Sequence, residues 1–311
     1  MNDPHLTAPL APFHGERPEA PEWFKRALRH EPQRRFVAVE GARIETLVWE
    51  PAEKPSKPGL MLLHGNGAHA DWWSFLAPYL ARDRRVVALS WSGMGGSDWR
   101  EAYSLTQFER EPIEVAAATG LAADGPPILV AHSFGGRIAL SLVANDPEPF
   151  GAAVIVAPPV FAPSRTFKPG PSDQEPRPHR AYPTLPEALA RFRFLPPQPC
   201  ANLYVADHIA RLSLREVPEG GWMWRFDPFL WRNMKRRDPA TDIRAVKRPV
   251  ALLRGGASRL MRAEDAAYMM SLLPQGSPLV EIPEADHHVM IDQPLAFVAA
   301  LEALLTGWPK A

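Results

Sequence analysis

From Gly59 onward the chain alternates short, unbroken apolar runs with segments of helical period, and no other feature limits its fold as strongly. The runs are Leu60–Leu63, Val86–Leu89, Ile128–Ala131, Ala152–Val156, Val250–Leu253 and Leu279–Ile282. They are too short for core helices and lack the polar alternation of half-solvated strands, so they read as strands buried on both faces. Between them, Trp72–Leu80, Phe134–Ala144, Ala263–Leu273 and Leu295–Leu305 carry a helical period. Strands alternating with helices require a parallel sheet covered on both sides, an α/β architecture. Ahead of these runs, Arg35–Val39 and Arg43–Trp49 alternate apolar and polar residues and meet at Glu40-Gly41, the pattern of an antiparallel hairpin. The expectation is a mostly parallel sheet of about eight strands with helices on both faces.

One interval breaks the rhythm, between the strand ending near Ala157 and the one starting near Pro249. Proline makes up 36 of 311 residues, about double the usual ~5%, and much of the surplus falls in the aperiodic stretch Pro158–Pro186. Helical period returns at Thr184–Phe194, Asn202–Leu214 and Asp227–Met234, so the interval reads as a helical cap inserted over the strand ends. The expected organisation is an arm over residues 1–34 with one short helix at Pro21–Leu28, a core over 35–157 and 241–311, and a cap over 158–240.

Composition excludes several classes. With 35 basic and 35 acidic residues the chain lacks the clustered positive charge that nucleic acid or an anionic membrane requires. The single cysteine, Cys200, can form neither an internal disulfide nor a zinc site alone. Together with an amino end that has no basic, apolar leader and a sequence with no membrane-length apolar run, it gives the expectation of a soluble, cytoplasmic protein.

Three places carry chemistry. In Ile128-Leu129-Val130-Ala131-His132-Ser133-Phe134-Gly135-Gly136, a strand passes into a helix within two residues, with Ser133 in the turn. The small residues Ala131 and Gly135 permit the strained turn that lifts a serine oxygen above a sheet, a nucleophile elbow; standing alone, the same five residues would suit a serine capping a helix. At Leu63-His64-Gly65-Asn66-Gly67, glycines flank a position whose N–H could face a developing oxyanion. Paired with the N–H of Phe134, the Asn66 N–H would complete an oxyanion hole. A phosphate cradle is the other use of such a turn, but no Walker or G-x-G-x-x-G pattern is present. His64 and His69 read as structural hydrogen bonders. The third place is Glu284-Ala285-Asp286-His287-His288-Val289, after the last strand.

With His64-Gly65-Asn66-Gly67, the Gly93-Met94-Gly95-Gly96-Ser97-Asp98 turn, the Ser133 elbow and a late histidine before Gln293-Pro294 in this order, the chain resembles the α/β-hydrolase superfamily from about residue 35 to 306. The resemblance implies a serine nucleophile at Ser133 and, by its spacing of seven residues from Pro294, His287 rather than His288 as the general base. Asp in place of Ser133 would have implied a dehalogenase or an epoxide hydrolase. The triad acid has no obvious holder: one usual position falls in Arg254-Gly255-Gly256-Ala257-Ser258-Arg259, and the other, at the end of the strand after the elbow helix, is held by Ala157. Glu264 and Asp265 suit the first turn of a helix, Asp227 before Pro228 suits an N-cap, and Asp286 adjoins His287 too closely in the chain. A distant acid, a Ser-His dyad, and an acid lost from position 157 all stay open.

The implied activity is hydrolysis of a small hydrophobic carboxylic ester or lactone through an acyl-enzyme, with no metal or organic cofactor. Carbon-carbon bond hydrolysis and a hydrolase-like binding protein without the acid are the alternatives. Trp72, Trp222 and Trp224 are candidate pocket residues, and Arg211, Arg215 and Arg225 could hold a carboxylate but suit solvated helix faces better. Neither the substrate nor the oligomeric state is legible.

Overall fold

The computed structural model describes residues 8–165, 176–235 and 237–307. Ten strands occur among them: β1 Gln33–Val39, β2 Ala42–Trp49, β3 Leu60–Leu63, β4 Val86–Leu89, β5 Ile128–His132, β6 Ala152–Val156, β7 Leu214–Glu216, β8 Trp222–Trp224, β9 Val250–Gly255 and β10 Leu279–Ile282. Eight of these form one sheet in the order β1, β2, β4, β3, β5, β6, β9, β10. β1 and β2 form the antiparallel hairpin, β2 meets β4 antiparallel, and every later pairing is parallel. Glu40 and Gly41 both take positive φ, 45° and 79°, as the tight hairpin turn demands.

All residues of β3, β4, β6 and β9 are buried, which is why Leu60–Leu63, Val86–Leu89, Ala152–Val156 and Val250–Leu253 are unbroken apolar runs. Full burial of each Val, Leu or Ile contributes roughly 1.5–3 kcal/mol, so the sheet centre is where the fold is anchored. β10 differs from expectation. It is the sheet edge, and only Ile282 in it is buried, since one side of an edge strand has no neighbouring strand.

Helices Glu22–Leu28, Phe134–Asn145, Ala263–Leu272 and Pro294–Gly307 lie where periodicity places them. The Trp72–Leu80 segment is instead a 3-10 turn, Ala70–Trp73, followed by the single helical turn Ala77–Leu80. Leu105–Ala118 is helical although its sequence carries Pro112 in the interior. Proline there removes one backbone donor and so hides the helix from a pattern reading. Ser104 caps it by accepting from the Gln107 N–H.

In the interval expected as a cap, residues 166–175 of the proline-rich stretch lie outside the described residues. The rest is less helical than its periodicity suggests. Helices cover Leu185–Leu189 and Leu203–Leu212, β7 and β8 form a small antiparallel hairpin, and residues 227–234 form turns rather than a helix. The turn is dictated by Asp227, whose carboxylate accepts from the Phe229 N–H and the Tyr103 hydroxyl. The described part of the amino-terminal arm is packed down, with Leu10, Phe24 and Ala27 buried. No helix among the described residues is long and apolar enough to cross a membrane.

Candidate active site

Ser133 follows β5 directly and precedes helix Phe134–Asn145 with φ 52° and ψ −114°, a conformation costly for any residue with a Cβ. Neighbouring strands hold it there. The Ser133 N–H donates to the Val156 carbonyl at 2.8 Å, so the elbow is pinned to the end of β6. A Cβ at position 135 would stand 2.8 Å from the carbonyl oxygens of both Leu63 and His64, so glycine is required for the helix to start this close to β3. The Ser133 side chain is thereby directed toward the loop after β10, and its Oγ lies 3.1 Å from His287 Nε2.

That loop is held through its backbone. The Asp286 N–H donates to the Asp292 carboxylate at 2.7 Å, the His287 N–H to the Asp286 carboxylate at 2.8 Å, and the His288 N–H to Gln198 Oε1 at 2.9 Å. Gln198 donates in turn to both Asp292 oxygens at 2.9 Å. The His287 carbonyl accepts from His132 Nε2 at 3.1 Å, which fixes the His132 tautomer with its proton on Nε2. Burial raises the Asp292 carboxyl to about 6, the hydrogen bonds from Asp286 and Gln198 offsetting part of the effect.

Three imidazoles therefore crowd one buried spot, with His287 and His132 rings 4.7 Å apart and His287 and His288 rings 4.9 Å apart. Burial, reinforced by the two neighbouring rings, pushes His287 well below the ordinary histidine range; burial likewise lowers His288, and takes His132 to about 4. All three are neutral at pH 7. His287 Nδ1 is buried and has no hydrogen-bond partner among the described residues. His288 packs against Trp72 and Phe194 and does not contact Ser133 through a hydrogen bond.

The carboxylates considered as triad acids are engaged elsewhere. Asp265 pairs with Arg165 and accepts from the N–H groups of Ala162 and Arg262. Asp286 is held by Arg259, Asp227 by Tyr103, and Glu264 faces Arg262. Ser258 caps the turn by accepting from the Met261 N–H. Ala157 follows β6, adjacent to the elbow, fully buried and with φ 45°. This left-handed conformation is uncommon for alanine and several-fold enriched for Asp and Asn.

On the other side of Ser133 stands the turn after β3. A Cβ on Gly65 would lie 3.1 Å from Ser133 Cβ, so the turn lies directly against the elbow. His64 accepts from the Trp91 N–H and donates from Nδ1 to the Gly65 carbonyl, with burial lowering it to about 3, and His69 meets Ser213 Oγ at 3.0 Å. Both act as structural hydrogen bonders. Phe134 opens its helix, so its N–H has no intrahelical acceptor. Asn66 Oδ1 accepts from Trp231 Nε1 at 2.9 Å, and the Trp231 ring stands edge-on to Phe134 at 5.1 Å. The Gly93–Asp98 turn supports this corner: Met94 Sδ accepts from the Gly67 N–H, and the Gly96 N–H donates to Glu45.

A cavity of about 680 Å³ opens beside Asn66 and Gly67, roofed by residues 178–195, Trp224 and Phe226. Of the expected pocket residues, Trp72 and Trp224 line it. Trp222 does not; it is paired backbone to backbone with Tyr182. Trp231 was among the cap tryptophans considered for a pocket, whereas Gln198, Asp292 and His132 were not singled out in the sequence. His132 alone left a signal there, its place beside the elbow serine.

The fold and this corner of the sheet define a class: a profile described as the Alpha/beta hydrolase family matches residues 60–301, and the chain belongs to that family. Among individual proteins it is similar to Esterase Rv0045c of Mycobacterium tuberculosis, 25% identical over 284 residues that cover 86% of this chain and 88% of the relative. A shorter match, 38% identical over 96 residues, covers 29% of this chain and 32% of 2-hydroxymuconate semialdehyde hydrolase of a Pseudomonas species. Among solved structures, the thioesterase domain from the curacin biosynthetic pathway superposes with a TM-score of 0.69 at 23% identity, covering 88% of this chain and 99% of that one.

Proposed function

We propose that the chain is a serine hydrolase that cleaves a carboxylic ester or lactone through an acyl-enzyme on Ser133. The observation that carries this reading is the 3.1 Å approach of Ser133 Oγ to His287 Nε2 at a strained strand-to-helix elbow. With its proton on Nδ1, His287 accepts the hydroxyl proton at Nε2 as Ser133 Oγ attacks the ester carbonyl. The carbonyl oxygen, now anionic, is received by the N–H groups of Asn66 and Phe134. Collapse of the tetrahedral species expels the alkoxide, which takes the proton from His287. Water then enters and attacks the acyl carbon while giving a proton to the same nitrogen, and as the bond to Ser133 Oγ breaks that proton passes to Oγ, releasing the acid and restoring the free serine. The low affinity of buried His287 for protons keeps it in the basic form at neutral pH.

The name of the mycobacterial relative supports the ester class, and the interval read as a cap, 158–240, acts as a lid through the described residues in it that line the pocket, among them Tyr182, Phe192 and Trp224. Carbon-carbon bond hydrolysis is the second reading, favoured by the local match to 2-hydroxymuconate semialdehyde hydrolase. We further propose that Ala157 occupies the place of a triad acid, because the unpartnered His287 Nδ1 and the left-handed Ala157 backbone are what removal of an aspartate there would leave. The test is labelling by a fluorophosphonate together with ester turnover: one equivalent bound and slow hydrolysis, both lost in Ser133→Ala, are expected. Turnover unchanged in that variant would overturn the assignment.

A further inference from the structure

The cavity beside Asn66 carries a charge pattern that the ester chemistry does not use. Arg180, Arg191 and Arg193 line it, and among the described residues no aspartate or glutamate does. The sequence balances 35 basic against 35 acidic residues, so three cations against no anion among the described lining residues is a local feature of this cavity. None of the three forms an ion pair among the described residues, and Arg180 lies 5.5 Å over the Tyr182 ring. Two of the three arginines that the sequence offered for a carboxylate are otherwise occupied: Arg211 is bound to Asp207 and the Gly15 carbonyl, and Arg215 lies over Trp99, while Arg225 does not line the cavity.

Local structure explains the arrangement. Residues 191–194 read Arg-Phe-Arg-Phe, and Phe192 and Phe194 are buried while both arginines are exposed. Phe194 packs on Trp72 and His288, and Phe192 packs on Trp224. The rings anchor the segment, and the anchoring sets two guanidinium groups at the rim of an aromatic cavity that ends at the oxyanion turn.

We propose that this cavity selects an ester bearing a carboxylate remote from the scissile bond, with the carbon chain along Trp72, Phe192, Phe194 and Trp224 and the carboxylate met by Arg180, Arg191 and Arg193. Guanidinium groups are matched to carboxylates by their planar fork of donors, and a cavity lined by one sign of charge concentrates counter-ions and steers their approach. The proposal rests on the hydrolase reading for turnover but not for binding, so the two are separable by experiment.

Binding of 4-phenylbutyrate and of its neutral amide, 4-phenylbutyramide, to the Ser133→Ala protein is followed by tryptophan fluorescence. The carboxylate should bind about tenfold more tightly at low ionic strength, and the advantage should shrink in 0.5 M salt as screening shortens the range of the charges. It should be lost in the Arg191→Gln, Arg193→Gln double variant, with the melting temperature of that variant confirming its fold. In the unaltered protein, kcat/KM for 4-nitrophenyl hydrogen adipate should exceed that for 4-nitrophenyl hexanoate by a similar factor. Equal binding of acid and amide overturns the proposal, as does a preference that survives the double variant. Preferential binding of the acid with no ester turned over would uphold the anion site and defeat the hydrolase assignment instead.

Discussion

Two histidines, a serine and an alanine divide the work at the residue scale. His287 rather than His288 meets the Ser133 hydroxyl, so His287→Ala should lower kcat by at least about 10³-fold, and His288→Ala, which removes a ring packed on Trp72, far less. Steady-state kinetics on one activated ester decides it, and the reverse ranking would assign the base to the wrong ring. At position 157 the left-handed backbone costs alanine roughly 1–2 kcal/mol. Ala157→Gly should therefore raise stability by about 1 kcal/mol in a denaturant titration. Ala157→Asp should raise kcat with little change in KM and shift the acid limb of the pH–rate profile upward, because a nearby negative charge favours the imidazolium. An unchanged profile and rate would place the acid elsewhere. The elbow, the glycine-flanked turn that lies against it and the late histidine were legible because each is a short contiguous pattern. The strain at Ala157 was not, since a sequence carries no φ.

Elements show where local pattern yields to context. The strand runs and the long amphipathic helices were readable because burial imposes a period on them. The helix Leu105–Ala118 was hidden by Pro112, and the segment 227–234 reads as a helix yet folds as turns because Asp227 is committed to Tyr103 and Phe229. Long-range contacts left even less trace. Gln198, far upstream in sequence, accepts from the His288 N–H and donates to Asp292, joining the segment before helix Leu203–Leu212 to the loop that carries His287. Nothing in Pro196-Pro197-Gln198-Pro199 announces that role. Gln198→Leu leaves a buried N–H and part of the Asp292 carboxylate unsatisfied, a loss of roughly 1–3 kcal/mol. If Gln198 positions His287, kcat should fall about tenfold while KM changes less than about twofold. A stability loss with kcat intact would make Gln198 purely structural.

For the whole molecule, pH enters through buried histidines. His64, His132, His179, His208, His287 and His288 all lie below their ordinary range in the fold, mainly through burial. The unfolded chain takes up their protons near pH 6.5, where the folded protein does not, so their contribution to stability is complete above 6.5 and is lost as pH falls toward 4. Glu111, raised to about 7, and Asp292, raised to about 6, act with the opposite sign, holding protons in the fold that the unfolded chain has released. Six groups against two leave a net loss on acidification, on the order of 1.4 kcal/mol per pH unit for each proton taken up. Melting temperatures measured from pH 7 to 4.5 should fall steadily; a flat or rising series would contradict the burial of these rings.

The seating of helix Leu203–Leu212 carries one more consequence. Its His208 meets Ser74, Arg211 reaches the Gly15 carbonyl, Tyr204 stacks edge-on to Trp23 and Phe24, and Ser213 just beyond it holds His69. The amino-terminal arm thus works as a buckle that locks this part of the roof to the floor beneath it. The same arm also reaches the stretch that brings Arg180, Arg191 and Arg193 to the cavity, since a Cβ on Gly15 would stand 2.6 Å from Pro186 Cγ, so trimming the arm should loosen the rim of the cavity together with this helix.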